Sequence, residues 1–166
     1  MEQLELIAFF SGYSLIYLFI HFLASARQTK NIFSERMISL LPLAYALVGL
    51  SFLGYEIKKF VAESSIENIK TSLTGHYLLL WGLISVLFFI PILYKKPVLS
   101  FLHSLVFFFF IVKDIFNYFF NSADLSVLKN IMNVYSKSLL LNSVSFITIV
   151  FISFLVTRFR KTKNQG

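Results

Sequence analysis

Pro97–Phe120, PVLSFLHSLVFFFFIVKDIFNYFF, is a run long enough to cross a bilayer, yet it carries His103, Lys113, Asp114 and Asn117. A hydrocarbon core of about 30 Å is spanned by about 20 predominantly apolar residues in a helix. A charge held at that depth is costly and needs a partner. The run therefore says where the chain resides, and it marks the polar residues among which an intramembrane function would be sought. It contains no motif that names an activity.

Composition supports the same setting along the whole chain. Of its 166 residues, 57% are hydrophobic and only 14% charged, outside the usual balance of a soluble domain. The chain reads as an all-α integral membrane protein, and too little polar sequence separates the apolar runs to build a second, soluble domain. With no cysteine, disulfides, thiolate catalysis and cysteine-ligated metals are excluded.

Five segments of membrane-spanning length can be read, over residues 4–24, 37–55, 77–94, 98–119 and 138–156. In lipid a backbone must satisfy its own hydrogen bonds, so the expected architecture is a five-helix bundle. Ala24-Ser25-Ala26 has the spacing of a signal-peptidase site, but the opening MEQLEL carries Glu2 and Glu5 where a secretory leader is basic. The first segment is therefore expected to stay as a helix.

Lys and Arg concentrate on the cytoplasmic side of membrane proteins. An N-out, C-in arrangement places Arg27, Lys30, Arg36, Lys95, Lys96, Arg158, Arg160, Lys161 and Lys163 inside, leaving fewer basic residues and most of the acidic ones outside. In this arrangement Arg158, Arg160, Lys161 and Lys163 form a surface anchor against anionic headgroups. They are not read as a nucleic-acid site.

The connections add detail. Only Lys95, Lys96 and Pro97 separate the third and fourth segments, and Pro97 suits a first helical position, so these two are predicted to form a tight antiparallel hairpin. Two short outer amphipathic helices are also expected. One lies between Ser64 and Gly75, opened by a capping-box pair of Ser64 and Glu67, and the other follows Asp124 and runs into the fifth segment. Both can lie flat in the interface or dock a partner. Tyr13, Tyr77, Trp81, Tyr94 and Tyr118 are assigned to aromatic belts near the two interfaces.

At about 100° per residue, His103, Phe107, Phe110, Asp114, Asn117 and Asn121 fall on one stripe of the fourth helix. Ser11, Ser14, Leu18, His21 and Ser25 share a face of the first helix, and Ser138, Asn142 and Ser145 one of the fifth. Pro42, Ala46 and Gly49 make a close-approach face on the second, as do Gly82 and Ser85 on the third. Interhelical packing accounts for all of these stripes without a ligand.

Two sharper readings stand beside that one. His21 and His103 lie at similar depth near the cytoplasmic side, as two axial ligands of a haem or half of a metal site would; more often such histidines are hydrogen-bonded packing residues. Asp114, Asn117 and Asn142 would cluster near the outer leaflet and carry a proton or bind a cation, with Lys113 snorkelling to the outer end. Alternatively Asp114 pairs with a lysine or sits at the outer water boundary. No cofactor is required by either stripe.

Enzyme chemistry has the least support, because only one acidic residue lies in a plausible bundle position and no nucleophile motif or phosphate-cradling glycine loop appears. The expectation is a non-catalytic subunit or accessory protein of a larger membrane complex, partnered by other membrane subunits or by itself. A small transporter or ion conductor using Asp114, Asn117 and Asn142 is the alternative, and a bis-histidine haem subunit ranks below it. The Phe, Ile, Leu, Asn and Lys bias points to a bacterial cytoplasmic membrane.

Overall fold

Long apolar segments in lipid leave the backbone one solution, hydrogen bonds within each segment. The computed structural model, which describes residues 2–26, 32–63, 76–120 and 125–163, is accordingly helical, with no strand among those residues. In chain order the helices are α1 (Glu2–Ala26), α2 (Ile32–Glu63), α3 (His76–Val86), α4 (Pro91–Tyr94), α5 (Pro97–Phe120) and α6 (Leu125–Lys163), with a 3₁₀ turn at Leu87–Phe89 after α3. Leu6–Ser25, Glu35–Lys59 and Met132–Phe159 are long and apolar enough to cross a membrane; Leu79–Phe89 and Pro97–Phe110 are shorter apolar stretches.

Several boundaries differ from the sequence reading. The third segment, expected as one helix over 77–94, is broken: Ile90 is extended, with φ −71° and ψ 131°, and the chain restarts at Pro91. Proline has no N–H to donate and its ring drives the preceding residue out of the helical region, so the break belongs to Pro91. As expected, by contrast, the helix after Asp124 is continuous with the fifth segment, giving the 39 residues of α6. The amphipathic piece expected between Ser64 and Gly75 lies outside the described residues, as does Asp124.

Side-chain registers give the helix directions. Phe9 lies against Tyr55 and Tyr13 against Tyr45, while Phe10 stacks on Phe107 and Tyr17 on Phe101, so α1 runs opposite to α2 and to α5. At the start of α2, Arg36 bonds Ser153 and Thr157 near the end of α6, setting these two helices antiparallel as well. Residue 49 of α2 meets residue 85 of α3, while residues 52 and 53 meet residue 82, which is again antiparallel.

α1 and α2 occupy the centre. Phe10, Tyr13, Leu41, Tyr45, Ala46, Val48 and Phe52 are almost completely buried, joined by Phe88, Phe107 and Phe146 from the surrounding elements. Half of the α1 span is buried against 17% of the α6 span, so α6 turns most of its apolar surface outward. The third and fourth segments run antiparallel across the short connection, as expected, but among the described residues they meet only through Trp81 and Phe88 on His103 and Phe107 rather than as a tightly packed hairpin. α3 packs chiefly on α2 and α5 chiefly on α1. Gly49 against Ser85, and Gly82 against Phe52 and Leu53, let α3 settle onto α2, where added Cβ atoms would collide.

Candidate functional site

The polar side chains of the bundle interior converge where α1, α2, α3 and α5 meet. Ser100 donates to the Pro97 carbonyl at 2.7 Å, the back-bond typical of a helical serine, and so accepts from the Tyr13 hydroxyl, also at 2.7 Å. One turn along, Ser104 donates to the Phe101 carbonyl at 2.9 Å and accepts from Ser14 at 2.8 Å. Two rungs thus tie α1 to α5.

His103, next to Ser104, is turned by about 100° toward the other side. Its Nδ1 lies 2.6 Å from the hydroxyl of the fully buried Tyr45, and its ring stacks on Trp81 with centroids 4.3 Å apart and planes at 21°. Trp81 also meets Phe107 edge-on, while Phe88 closes over Tyr45 and His103. A histidine, a tyrosine and a tryptophan from three helices therefore share one cluster. The Nε2 atom of His103 is buried without a hydrogen-bond partner among the described residues.

A second polar contact joins α1 to α6. Ser138 Oγ accepts from the Gly12 amide at 2.9 Å, and Asn142 Nδ2 donates to the Phe9 carbonyl at 2.6 Å and to the Ser138 carbonyl at 2.8 Å. Gly12 is required for this approach: a Cβ there would lie 2.6 Å from backbone atoms of Ser138 and Leu139. The serine and asparagine stripe read on the fifth segment is the seam against the first.

The sequence-derived candidates separate accordingly. Asn142 is committed to the α1 backbone, while Asp114 and Asn117 lie on α5, their side chains outside the described residues. Lys113 is exposed. His21 lies tilted against Tyr17, which stacks on Phe101, whereas His103 faces Tyr45 and Trp81. No described contact joins the two histidines, and no group of three His, Cys, Asp or Glu able to hold a metal occurs among the described residues. Arg158 is exposed at the end of α6; the side chains of Arg160, Lys161 and Lys163 lie outside the described residues.

The aromatic-belt assignment is corrected at Tyr13, which is 1% exposed, and at Trp81, which is partly buried against His103. Both find polar or aromatic partners inside the bundle, which is what permits a ring with a polar tip to be buried. Tyr45, Ser100 and Ser104 were not singled out from sequence at all. The signal available was the i, i+4 spacing of the two serines, which places them on one face beside the one that carries His103. Comparison of the chain with protein-family models, with curated proteins and with solved structures gives no match.

Proposed function

We propose that this chain is a non-catalytic integral membrane subunit or accessory protein of a larger membrane assembly, with a homo-oligomer as the simplest form, in a bacterial cytoplasmic membrane. The observation that carries this reading is how the interior polar groups are used. Tyr13, Ser14, Ser100, Ser104, Ser138 and Asn142 bond across helices to one another or to backbone groups, the usual role of small polar residues between membrane helices. They line no described path, and what the bundle offers outward is apolar surface.

We also propose five crossings, N-out and C-in. The helix directions support the five crossings: α1 and α6 both run opposite to α2, α3 runs opposite to α2, and α5 opposite to α1; the orientation rests on the basic residues gathered at one end. Met132–Phe159, Glu35–Lys59 and Leu6–Ser25 serve as full spans, and the pair of shorter apolar stretches completes the set.

Purification from native membranes in mild detergent, followed by native mass spectrometry, tests the proposal. A homo-oligomer or a stoichiometric complex is the expected result, and a lone monomer in both detergent and nanodiscs overturns it. The conducting alternative is separated by Asp114→Asn. A scaffold reconstituted in liposomes shows no ion flux for the variant to abolish, whereas a conduit loses flux while remaining assembled. A Soret band in the purified protein is what the haem reading requires.

A further inference from the structure

At one end of the bundle, the first turns of α2, the short α4 and the start of α5 surround a crevice of about 320 Å³ lined by Glu35, Ile38, Ser39, Tyr94, Lys95 and Pro97. This is the level at which the apolar span of α2 begins, at Glu35, and at which α5 starts, at Pro97. In a membrane it is the boundary between acyl chains and headgroups. The crevice exists because Pro91 interrupts the third segment: a continuous helix would carry Tyr94 and Lys95 along a different path, whereas the one-turn α4 brings them across the start of α2.

The lining has two parts. Ile38, Pro97 and Tyr94 offer apolar walls, and Glu35 and Lys95, both exposed, add one residue of each charge to the lining. An acidic residue in the first turn of a helix is favourable on its own account, but that does not explain a crevice with a cation on its other wall. An apolar slot at headgroup depth with opposite charges in its lining matches an amphiphile whose polar end is a zwitterion. A purely anionic headgroup would meet the Glu35 carboxylate, and a choline ammonium has no N–H to donate to it.

We infer that the crevice is a binding site for a phospholipid with an ethanolamine headgroup. Lys95 holds the phosphate, Glu35 accepts from the ammonium, and the glycerol region lies on Ile38, Tyr94 and Pro97. The inference rests on the membrane placement proposed above, which alkaline carbonate extraction checks independently; a protein retained in carbonate-washed membranes but lacking headgroup preference fails here alone.

The test uses the delipidated full chain in detergent, titrated with phosphatidylethanolamine, phosphatidylglycerol and phosphatidylcholine of identical acyl chains and read by native mass spectrometry. Phosphatidylethanolamine is expected to bind about fivefold tighter than the other two, the upper end of what one exposed charge pair contributes. Glu35→Gln should remove that preference without weakening phosphatidylglycerol, Lys95→Gln should weaken both phosphatidylethanolamine and phosphatidylglycerol, and Ile38→Trp, which fills the slot, should reduce all retained lipid. Each variant is first matched to the parent in elution volume and helicity. Equal binding of the three headgroups, preference for phosphatidylglycerol, or an ethanolamine preference unchanged in Glu35→Gln overturns the assignment.

Discussion

Gly12 and Gly54 are two glycines in helices with opposite surroundings, and they show what single residues decide in this bundle. A Cβ at Gly12 would lie 2.6 Å from the backbone of α6, which has no freedom to retreat, while one at Gly54 meets nothing within 4 Å. Gly12→Ala is therefore expected to force the α1–α6 seam apart and cost about 1–3 kcal/mol, the usual scale of overpacking. Gly54→Ala is expected to be neutral or stabilising by up to about 1 kcal/mol, since alanine is the better helix former. Thermal unfolding of the two variants in one detergent checks the pair, and equal shifts would contradict the close approach. Along the same seam, Asn142→Leu removes the donors to the Phe9 and Ser138 carbonyls. Its expected cost is about 1 kcal/mol, because hydrogen bonds between membrane helices are individually modest. A larger loss than that of Gly12→Ala would mean that hydrogen bonding, not close backbone packing, dominates the seam.

Between the residue and the bundle stands the third segment, whose two pieces do different jobs. α3 is fixed to α2 through Gly49, Gly82 and Ser85, while α4, beyond the Ile90 break, carries Tyr94 and Lys95 over the start of α2. Replacing Pro91 with alanine returns a backbone donor and frees Ile90 to become helical. Helicity should rise, and Tyr94 should leave the neighbourhood of Ser39. The chain has no cysteine, so Ser39→Cys with Tyr94→Cys reports this cleanly: a short bismaleimide should link the pair in the parent and fail in Pro91→Ala. Undiminished linking would show that the break does not depend on the proline. Pro91 was in plain view in the sequence, yet the apolar residues on both sides of it allowed the segment to be read as one span. Hydropathy is a local property, and so the three long spans were legible from it. The close packing expected of the third segment on the fourth was not, because it assumed a straight helix before Lys95. The burial of Tyr13 and Tyr45 was hidden for another reason: a tyrosine suits an interface and an interior equally, and only the positions of Ser100 and His103 in space decide between them. The small-residue faces of Gly49, Gly82, Ser138 and Asn142 were legible because small residues in spanning helices have few uses other than contact.

For the molecule as a whole, the ends of the bundle carry the topology. At a rise of about 1.5 Å per residue, α2 is about 48 Å long and α6 about 58 Å, so both outrun a hydrocarbon core of about 30 Å and extend into water or headgroups. The start of α2, the start of α5 and the end of α6 lie at one end, which gathers Arg36, Lys95, Lys96 and Arg158; Lys58, near the end of α2, and Lys113, in the second half of α5, belong toward the other. If basic residues mark the cytoplasmic side, the first end is inside. Lys96→Cys and Lys58→Cys, both at exposed positions, should therefore respond oppositely to a membrane-impermeant maleimide added to intact spheroplasts. Lys58→Cys should label at once, and Lys96→Cys only after the membrane is permeabilised. Because the parent has no cysteine, every labelled band belongs to the introduced residue. The reverse pattern would invert the bundle without altering its packing, and would place the crevice of Glu35 and Lys95 in the outer leaflet. Labelling of both positions in intact spheroplasts would put the two ends on one side, which a third segment that turns back at Ile90 rather than crossing would produce. That result would remove the five-crossing arrangement while leaving the three long spans in place.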